Sequence, residues 1–569
     1  MNMREPIISF KDYTYHYRAQ AAPTITDINL EIYKGERIII VGPSGCGKST
    51  LAHCLNGLNP FSYPGETKGT LTICGVEAAK SGIFELSQYV GTVLQDTDGQ
   101  FIGMTVLEDI AFSMENDCIP QKELIERTKA EAEKVGLLPK LGDAPHALSG
   151  GQKQRVSMAG VMVNQVPILL FDEPLANLDP AAGRDAIELI DKLQKDGEKT
   201  VIIIEHRLED AMHMGADRII MMENGRIISD STPEELFLSN KLIEAGIREP
   251  LYLTALKYAD VALSKDMHVE RMQTLSLADM HKEQICKWFE QCKAKQPAPE
   301  KEEVLRIENI HFGYTSEREN LTDISFTIRE GDMVSIVGKN GAGKSTMAKL
   351  LCGFETPNKG KIYLRGRDMA EDTIKERAAH IGYVMQNPNQ MISKPMIYDE
   401  VALSLVMQNL PEEEIKERVH ETLKICGLYE FRNWPINALS YGQKKRVTIA
   451  SILVSRPQIL ILDEPTAGQD FRHYTEIMEF LKELNEKGYT VLMITHDMHL
   501  MLEYTSRSLV FSEGRKIADT TPEKLFANPQ LLQQASLKET SLYQLAKDCE
   551  LPEEAYIRAF IEYDREVRS

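Results

Sequence analysis

Two stretches of the chain carry the spacing G-x-x-x-x-G-K-[S/T]. The first runs Gly42, Pro43, Ser44, Gly45, Cys46, Gly47, Lys48, Ser49, Thr50. The second runs Gly338, Lys339, Asn340, Gly341, Ala342, Gly343, Lys344, Ser345, Thr346. Each follows a short β-branched run and precedes a helical pattern. Glycines there let backbone N–H groups turn inward around phosphate oxygens, and a helix N-terminus adds positive potential. Lys48 and Lys344 would hold β and γ phosphates, and the hydroxyls of Ser49 and Ser345 would bind Mg²⁺. A glycine-rich strand–helix turn without ligand has the same spacing, but two matches in register argue against it.

Further acidic and imidazole groups recur behind each loop. Asp172 and Asp463 end four-residue apolar runs. A carboxylate at the C-terminal end of a parallel strand sits at the crevice where such sheets bind ligands, within reach of a Mg²⁺ shell. Glu173 and Glu464, next in sequence, are candidates to polarise an attacking water. One isolated Asp-Glu-Pro would read as a solvated acidic turn. His206 and His496 close another apolar run, where an imidazole would hydrogen-bond a γ-phosphate; a lone histidine there would read as structural. The residue before them differs, Glu205 against Thr495. Ser149-Gly150-Gly151 and Ser440-Tyr441-Gly442 each precede a helical run (152–162 and 443–453) and offer a second anion site. Taken alone, that serine reads better as a simple N-cap.

The elements that must position these groups come in two copies. Lys48 recurs as Lys344, 296 positions on, whereas Ser149 and Asp172 recur 291 positions on. Thr232-Pro-Glu-Glu-Leu-Phe237 returns as Thr521-Pro-Glu-Lys-Leu-Phe526. Several unrelated tetramers in one order indicate two copies of one domain of about 235 residues. Buried-type runs alternating with helices predict a parallel sheet covered on both faces, with an added antiparallel region before each phosphate loop. Residues 241–301 carry ten Lys/Arg against nine Asp/Glu, with apolar spacing that suggests short helices. Gln296-Pro-Ala-Pro and the four residues after it read as an extended linker.

Composition bounds the alternatives. Of 569 residues, 43% are apolar and 26% charged, an ordinary globular balance. A formal charge of −20 opposes broad binding to nucleic acid. No apolar stretch reaches the roughly 18 residues needed to cross a bilayer, and the N-terminus has no basic region followed by an apolar core. Nine cysteines without a C-x-x-C pair suggest reduced thiols rather than a disulfide framework.

The ordered set of phosphate loop, glutamine after a strand (Gln95, Gln386), signature Leu-Ser-Gly-Gly-Gln, Asp-Glu-Pro and final histidine resembles an ATP-binding-cassette ATPase. The likeness covers about 470 of 569 residues, taking each copy at the size above. It implies an α/β fold of two tandem P-loop cassettes, each a mostly parallel sheet with an added antiparallel β region and a helical subdomain. The expected boundaries are 4–240 and 304–531 for the cassettes, with a helical segment and linker at 241–303 and a C-terminal helical segment at 532–569. It also implies head-to-tail cassettes, with each ATP between the phosphate loop of one copy and the signature of the other. One site would combine Lys48, Ser49, Gln95, Asp172, Glu173 and His206 with Ser440 and Gly442. The other would combine Lys344, Ser345, Gln386, Asp463, Glu464 and His496 with Ser149 and Gly151. Ser49, Gln95 and Asp172, and Ser345, Gln386 and Asp463, would hold Mg²⁺. Tyr17 and Tyr314 stand where the family stacks an aromatic on adenine, although Tyr13 and Tyr15 compete with Tyr17. Asp179 and Asp470 match aspartates that couple the sites. Tyr441 departs from the pattern, so two competent but unequal sites are expected.

Within that family, Gln386-Asn-Pro-Asn-Gln390, Thr466-Ala-Gly-Gln-Asp470 and the Ala245–Leu253 stretch (245–253) resemble the fused ATPase of energy-coupling-factor importers of vitamins or transition-metal ions. The resemblance implies a transmembrane coupling protein and a small membrane-embedded substrate-binding subunit as partners, and a peripheral place on the cytoplasmic face of the membrane. A twin-cassette translation factor on the ribosome should carry a strongly basic linker, which this chain lacks. A fused monosaccharide-import ATPase usually has one degenerate site, whereas both glutamates are present here.

Overall fold

The computed structural model describes residues 5–95, 98–176, 178–292, 301–315 and 319–568. It divides into two units, Met1–Trp288 with Asp470–Arg472, and Phe289–Gln469 with His473–Ser569.

In the first unit, Arg37–Val41, Ile168–Asp172 and Thr200–Ile204 are buried along their whole length. Uninterrupted burial requires cover on both faces, which parallel strands joined by helices provide. The six-stranded sheet has the order Arg226–Ser231, Arg218–Glu223, Arg37–Val41, Thr200–Ile204, Ile168–Asp172, Val90–Val93, and all but the first pair run parallel. The phosphate loop therefore leaves the end of the strand beside Thr200–Ile204. Asp172 and Glu205 emerge at the same edge, two strands and one strand away from the strand that carries the phosphate loop, as an open α/β sheet places its ligand groups.

The expected antiparallel region is a four-stranded sheet. Pro6–Tyr17 lies between Ile25–Tyr33 and Gly65–Ile73, with Val76–Glu77 at the edge. It shares one apolar core with the parallel sheet through Phe10, Leu30, Ile40, Leu51 and Ile202. A separate core, including Val106, Ile110, Leu124 and Val156, holds the helices Val106–Asn116, Gln121–Lys134 and Gly150–Met162 together. The signature serine thus sits on a helical subdomain whose core is its own.

The second unit repeats this plan. Its parallel sheet runs Ile381–Val384, Ile459–Asp463, Thr490–Ile494, Met333–Gly338, Arg507–Ser512, with antiparallel Arg515–Thr520 at the edge. Leu321–Arg329, Glu303–Phe312, Lys359–Leu364 and Arg367–Asp368 form its antiparallel sheet.

The repeat extends further than the sequence suggested. The helices Leu251–Tyr258 and Ser541–Asp548 start 290 positions apart. Ahead of each, a chain reversal places Gly246 at φ +67° and Ser536 at φ +54°. The amides of Ile247 and Leu537 then donate to the carbonyls of Leu242 and Leu532, at 2.8 and 2.9 Å. Behind each helix stands a second left-handed residue, Asp260 (φ +53°) or Glu550 (φ +55°). Each copy is therefore a cassette followed by the same helical appendage. Of the extended linker expected at 296–303, residues 296–300 lie outside the described residues, and Glu303 already opens a strand.

Candidate functional site

The phosphate loops are built alike. Gly45 and Gly47 take φ +76° and +104°, Gly341 and Gly343 +80° and +99°. A Cβ on Gly47 would stand 2.6 Å from Ile25 Cγ2, so only glycine fits where the loop crosses the antiparallel sheet. The helices Lys48–Leu55 and Lys344–Cys352 begin directly after these glycines. Lys48 is buried and donates to the carbonyls of Gly42 (2.8 Å) and Pro43 (3.0 Å). Lys344 donates to those of Gly338 (2.6 Å) and Lys339 (3.1 Å), and its Nζ lies 3.4 Å from His496 Nε2. Each ammonium is thus pinned inside its own loop by the main chain.

The glutamates after the strand ends hold a costly backbone conformation. Glu173 and Glu464 have φ +49° and +46°, a left-handed region that costs a non-glycine residue about 1–3 kcal/mol. Their amides donate to the carbonyls of Ile204 and Ile494, both at 2.9 Å, which fixes the turn against the neighbouring strand. Glu173 receives Gln95 Nε2 at 2.6 Å on one oxygen and faces His206 Nε2 at 3.1 Å with the other. The sequence-derived trio Gln95, Glu173 and His206 is therefore a contact set. In the second unit Glu464 faces His496 Nε2 at 3.4 Å. Gln386 is exposed, and its main-chain carbonyl, not its amide, makes the contacts recorded there.

The aspartates are differently satisfied. Ser345 Oγ donates to Asp463 Oδ2 at 3.1 Å, and so does the hydroxyl of Tyr383 at 2.9 Å. The first copy has Thr92 in place of Tyr383. There, Asp172 Oδ1 is buried with no hydrogen-bond partner among the described residues. Burial, then the neighbouring Glu173, push Asp172 up to about 6. Burial likewise raises Glu464 well above the usual carboxylate range, against the pull of Lys344. An orphaned carboxylate oxygen beside a serine hydroxyl is a hard-oxygen donor set of the kind Mg²⁺ takes.

Sequence reasoning passed over Glu205. This buried carboxylate accepts the amides of Leu175 (2.9 Å), His206 (2.8 Å) and Arg207 (3.1 Å). It ties the histidine turn to the turn after Glu173. Thr495, at its place in the second copy, accepts only the amide of Asp497, at 2.9 Å, among the recorded contacts. The Glu/Thr difference was visible in the sequence, but its meaning required knowing that two loops meet there.

The signature serines are N-caps, as the tetramer alone suggests. Ser149 and Ser440 each form a reciprocal capping box, with Gln152 and Gln443. Gly151 and Gly442 lie in the first turn; Gly442 is buried and its Cβ would stand 3.3 Å from His473 Cδ2. Asp179 caps the helix Pro180–Gly197. The competing tyrosines separate cleanly: Tyr13 and Tyr15 are core residues, whereas Tyr17 is half-buried and Tyr314 is 51% exposed. Tyr17 Oη is engaged by Thr50 Oγ1 (3.3 Å) and Asn59 Nδ2 (3.2 Å). Lys349 Nζ lies 5.9 Å from the Tyr314 ring centre.

Residues 25–176 and 321–467 match the family model described as "ABC transporter". Residues 239–312 match one described as "ATP-binding cassette cobalt transporter". Relatives described as ABC transporter ATP-binding proteins include one from Clostridium perfringens, 55% identical with all of both chains covered. Another, from Enterococcus faecalis, is 56% identical, again over all of both chains. A solved structure of cbiO1 from Clostridium perfringens, described as part of the ABC transporter complex cbiONQ, is 33% identical over 44% of this chain and 99% of its own, with a TM-score of 0.39. No helix among the described residues is long and apolar enough to cross a membrane.

Proposed function

The chain belongs to the ABC transporter ATP-binding family and is an ATPase with two cassettes, and on that premise we propose that it is the energy-coupling subunit of an importer for a vitamin, a vitamin precursor or a transition-metal ion. The observation that carries this reading is the completeness of both catalytic sets: Glu173 faces His206 as Glu464 faces His496. A transporter with one degenerate site would not retain both. The match of 239–312 to a cobalt-transporter family supports the transition-metal branch, and it favours a transport role for the first appendage over a ribosomal one.

In this reading Lys48 and Lys344 exchange their loop carbonyls for phosphate oxygens. Glu173 and Glu464 orient the attacking water and accept its proton, and the histidines hold the terminal phosphate. Mg²⁺, when bound, supplies charge neutralisation at the β and γ phosphates; Ser49 and Asp172, with Gln95, and Ser345 and Asp463, with Gln386, would hold it. Exposed apolar side chains support docking to a membrane protein. Met104 is 83% exposed, with Ile102 beside it, and Met407 and Trp434 are open in the second unit.

Affinity purification of the full chain from detergent-solubilised membranes tests the proposal. Small hydrophobic integral proteins should co-purify, and cells should lose ATP-dependent uptake of labelled Co²⁺ or of a vitamin when both glutamates are changed to glutamine. Co-sedimentation with ribosomes, with no membrane protein retained, would overturn it.

A further inference from the structure

Two of the positions at which the signature helices differ lie within their first five residues, and in the second copy both lean on one carbonyl. The first helix begins Gly150-Gly151-Gln152-Lys153-Gln154; the second begins Tyr441-Gly442-Gln443-Lys444-Lys445. Tyr441 replaces Gly150 and Lys445 replaces Gln154, and these positions stand four apart, on one helix face. Lys445 is 1% exposed. Its Nζ lies 2.9 Å from the carbonyl oxygen of Met385 and 2.7 Å from that of Gln386. The hydroxyl of Tyr441 lies 3.5 Å from the same Gln386 carbonyl. In the first copy Gln154 Nε2 instead donates to the carbonyl of Pro174, directly after Glu173.

We propose that Lys445 is a positioning residue that ties the signature helix of the second cassette to that cassette's own glutamine loop, a tie the first cassette replaces with one from Gln154 to the turn behind its catalytic glutamate. The proposal rests on the ATPase reading above. A buried ammonium is stable only while its hydrogen bonds are made. Were the glutamine loop to move away alone, that buried charge would lose both carbonyl acceptors. The loop and the start of the helix, with Ser440 and Gly442, therefore move together. In the first cassette the signature helix is tied to the turn after Glu173 instead, so a displacement of Gln95 reaches Ser149 only by way of Glu173. The tyrosine that breaks the glycine pattern is then part of this tie. Among the described residues, a pull on the glutamine loops thus reaches the signature helix directly in the second cassette and through Glu173 in the first.

The test uses the full chain with Lys445→Met, Lys445→Arg and the parent. Hydrogen exchange at the amides of 385–392 should accelerate about ten-fold in Lys445→Met. Its kcat should fall about five-fold, with KM for ATP within about two-fold of the parent. Lys445→Arg, which keeps a buried cation with several donors, should restore both readings to within about two-fold. Unchanged exchange at 385–392 overturns the proposal. So does an unmoved kcat in a loosened loop, or a loss that Lys445→Arg fails to restore. Should Lys445→Met not accumulate as folded protein, Lys445→Gln carries the same measurements with the same outcomes. The exchange reading stands apart from transport, so a chain with no membrane partner would sink the importer reading and leave this one to be judged.

Discussion

His206 Nε2 lies 3.1 Å from Glu173 Oε1, and the other oxygen of that carboxylate receives Gln95 Nε2 at 2.6 Å. The histidine proposed to hold the terminal phosphate, the carboxylate proposed to orient water and the side chain of Gln95 thus meet at one point. Glu173 has a left-handed backbone held by Ile204. In the second copy the corresponding glutamate is raised by burial and lies 3.4 Å from its histidine.

Glu173→Gln and Glu464→Gln should therefore lower the ATPase rate by different amounts. Loss of a general base costs about 10²–10⁴-fold at the affected site, so the double variant should fall by at least about 100-fold. In Glu173→Gln, which leaves Glu464 to act, the residual rate should climb as pH rises from about 6 to about 8. A carboxyl raised by burial is ionised, and so basic, only above its shifted range. Steady-state rates across that window decide the matter; equal losses in the two single variants would remove the asymmetry.

Glu205 gives a second prediction. Three amides converge on its carboxylate. Glu205→Ala leaves them without that acceptor, and hydrogen bonds to a charged group contribute about 1.5–3 kcal/mol each before compensation. The expected result is a loss of several degrees in the melting temperature and a fall in ATPase rate as His206 drifts from Glu173. Thr495→Ala, which removes one recorded amide contact, should cost roughly 1 kcal/mol. Comparable melting temperatures for the two variants would count against the role given to Glu205.

What the sequence made legible was what lies close along the chain and repeats. The phosphate loops, strand-end carboxylates and capping serines each depend on a few adjacent residues, and a glycine with positive φ or a Ser-x-x-Gln box leaves a direct trace. The contacts that distinguish the two copies join segments far apart in sequence: Tyr383 to Asp463, Glu205 to Leu175, Lys445 to Gln386. Pattern reading could show that those residues differed, but not what they touched. Helical segments after both cassettes were expected, but their repetition escaped because the second copy preserves backbone turns more than residue types. Ser536 stands for Gly246 and Glu550 for Asp260, at nearly the same φ.

Asp172 supplies a pH prediction. Its folded value of about 6 lies above the unfolded 3.8, chiefly because burial disfavours the charge. The folded state therefore binds the proton more tightly. That stabilisation is complete below about 3.8 and is lost as pH rises through about 6. Asp172→Asn, which removes the buried charge, should raise the melting temperature of the nucleotide-free chain by about 2 °C or more at pH 8. The gain should shrink towards pH 5, and Mg²⁺-dependent ATP binding at the first site should be lost. Calorimetry at both pH values checks the sign; a gain that grows on acidification would contradict it.

The adenine platforms are expected to behave unequally. Tyr314 is 51% exposed, so part of its ring is open to a base, with Lys349 Nζ 5.9 Å from the ring centre. Tyr17 is held edge-on to Tyr15, with ring centres 4.9 Å apart, and its hydroxyl is engaged by Thr50 and Asn59. Stacking of a base on an aromatic ring is worth about 1–3 kcal/mol. Tyr314→Ala should therefore weaken ATP binding at the second site about ten-fold or more while leaving the melting temperature nearly unchanged. Tyr314→Trp should preserve affinity. Tyr17→Ala should weaken binding at the first site and also lower the melting temperature, because it removes a ring that packs on the core and a partner of Asn59. Tyr17→Phe separates the two effects: the ring and its stacking remain while the hydroxyl is lost, so affinity should hold and only stability should fall. Fluorescent-nucleotide titration of each variant, with the opposite site silenced by Lys48→Ala or Lys344→Ala, measures the two platforms apart. A Tyr314→Ala chain that binds ATP at the second site as tightly as the parent would show that adenine rests elsewhere.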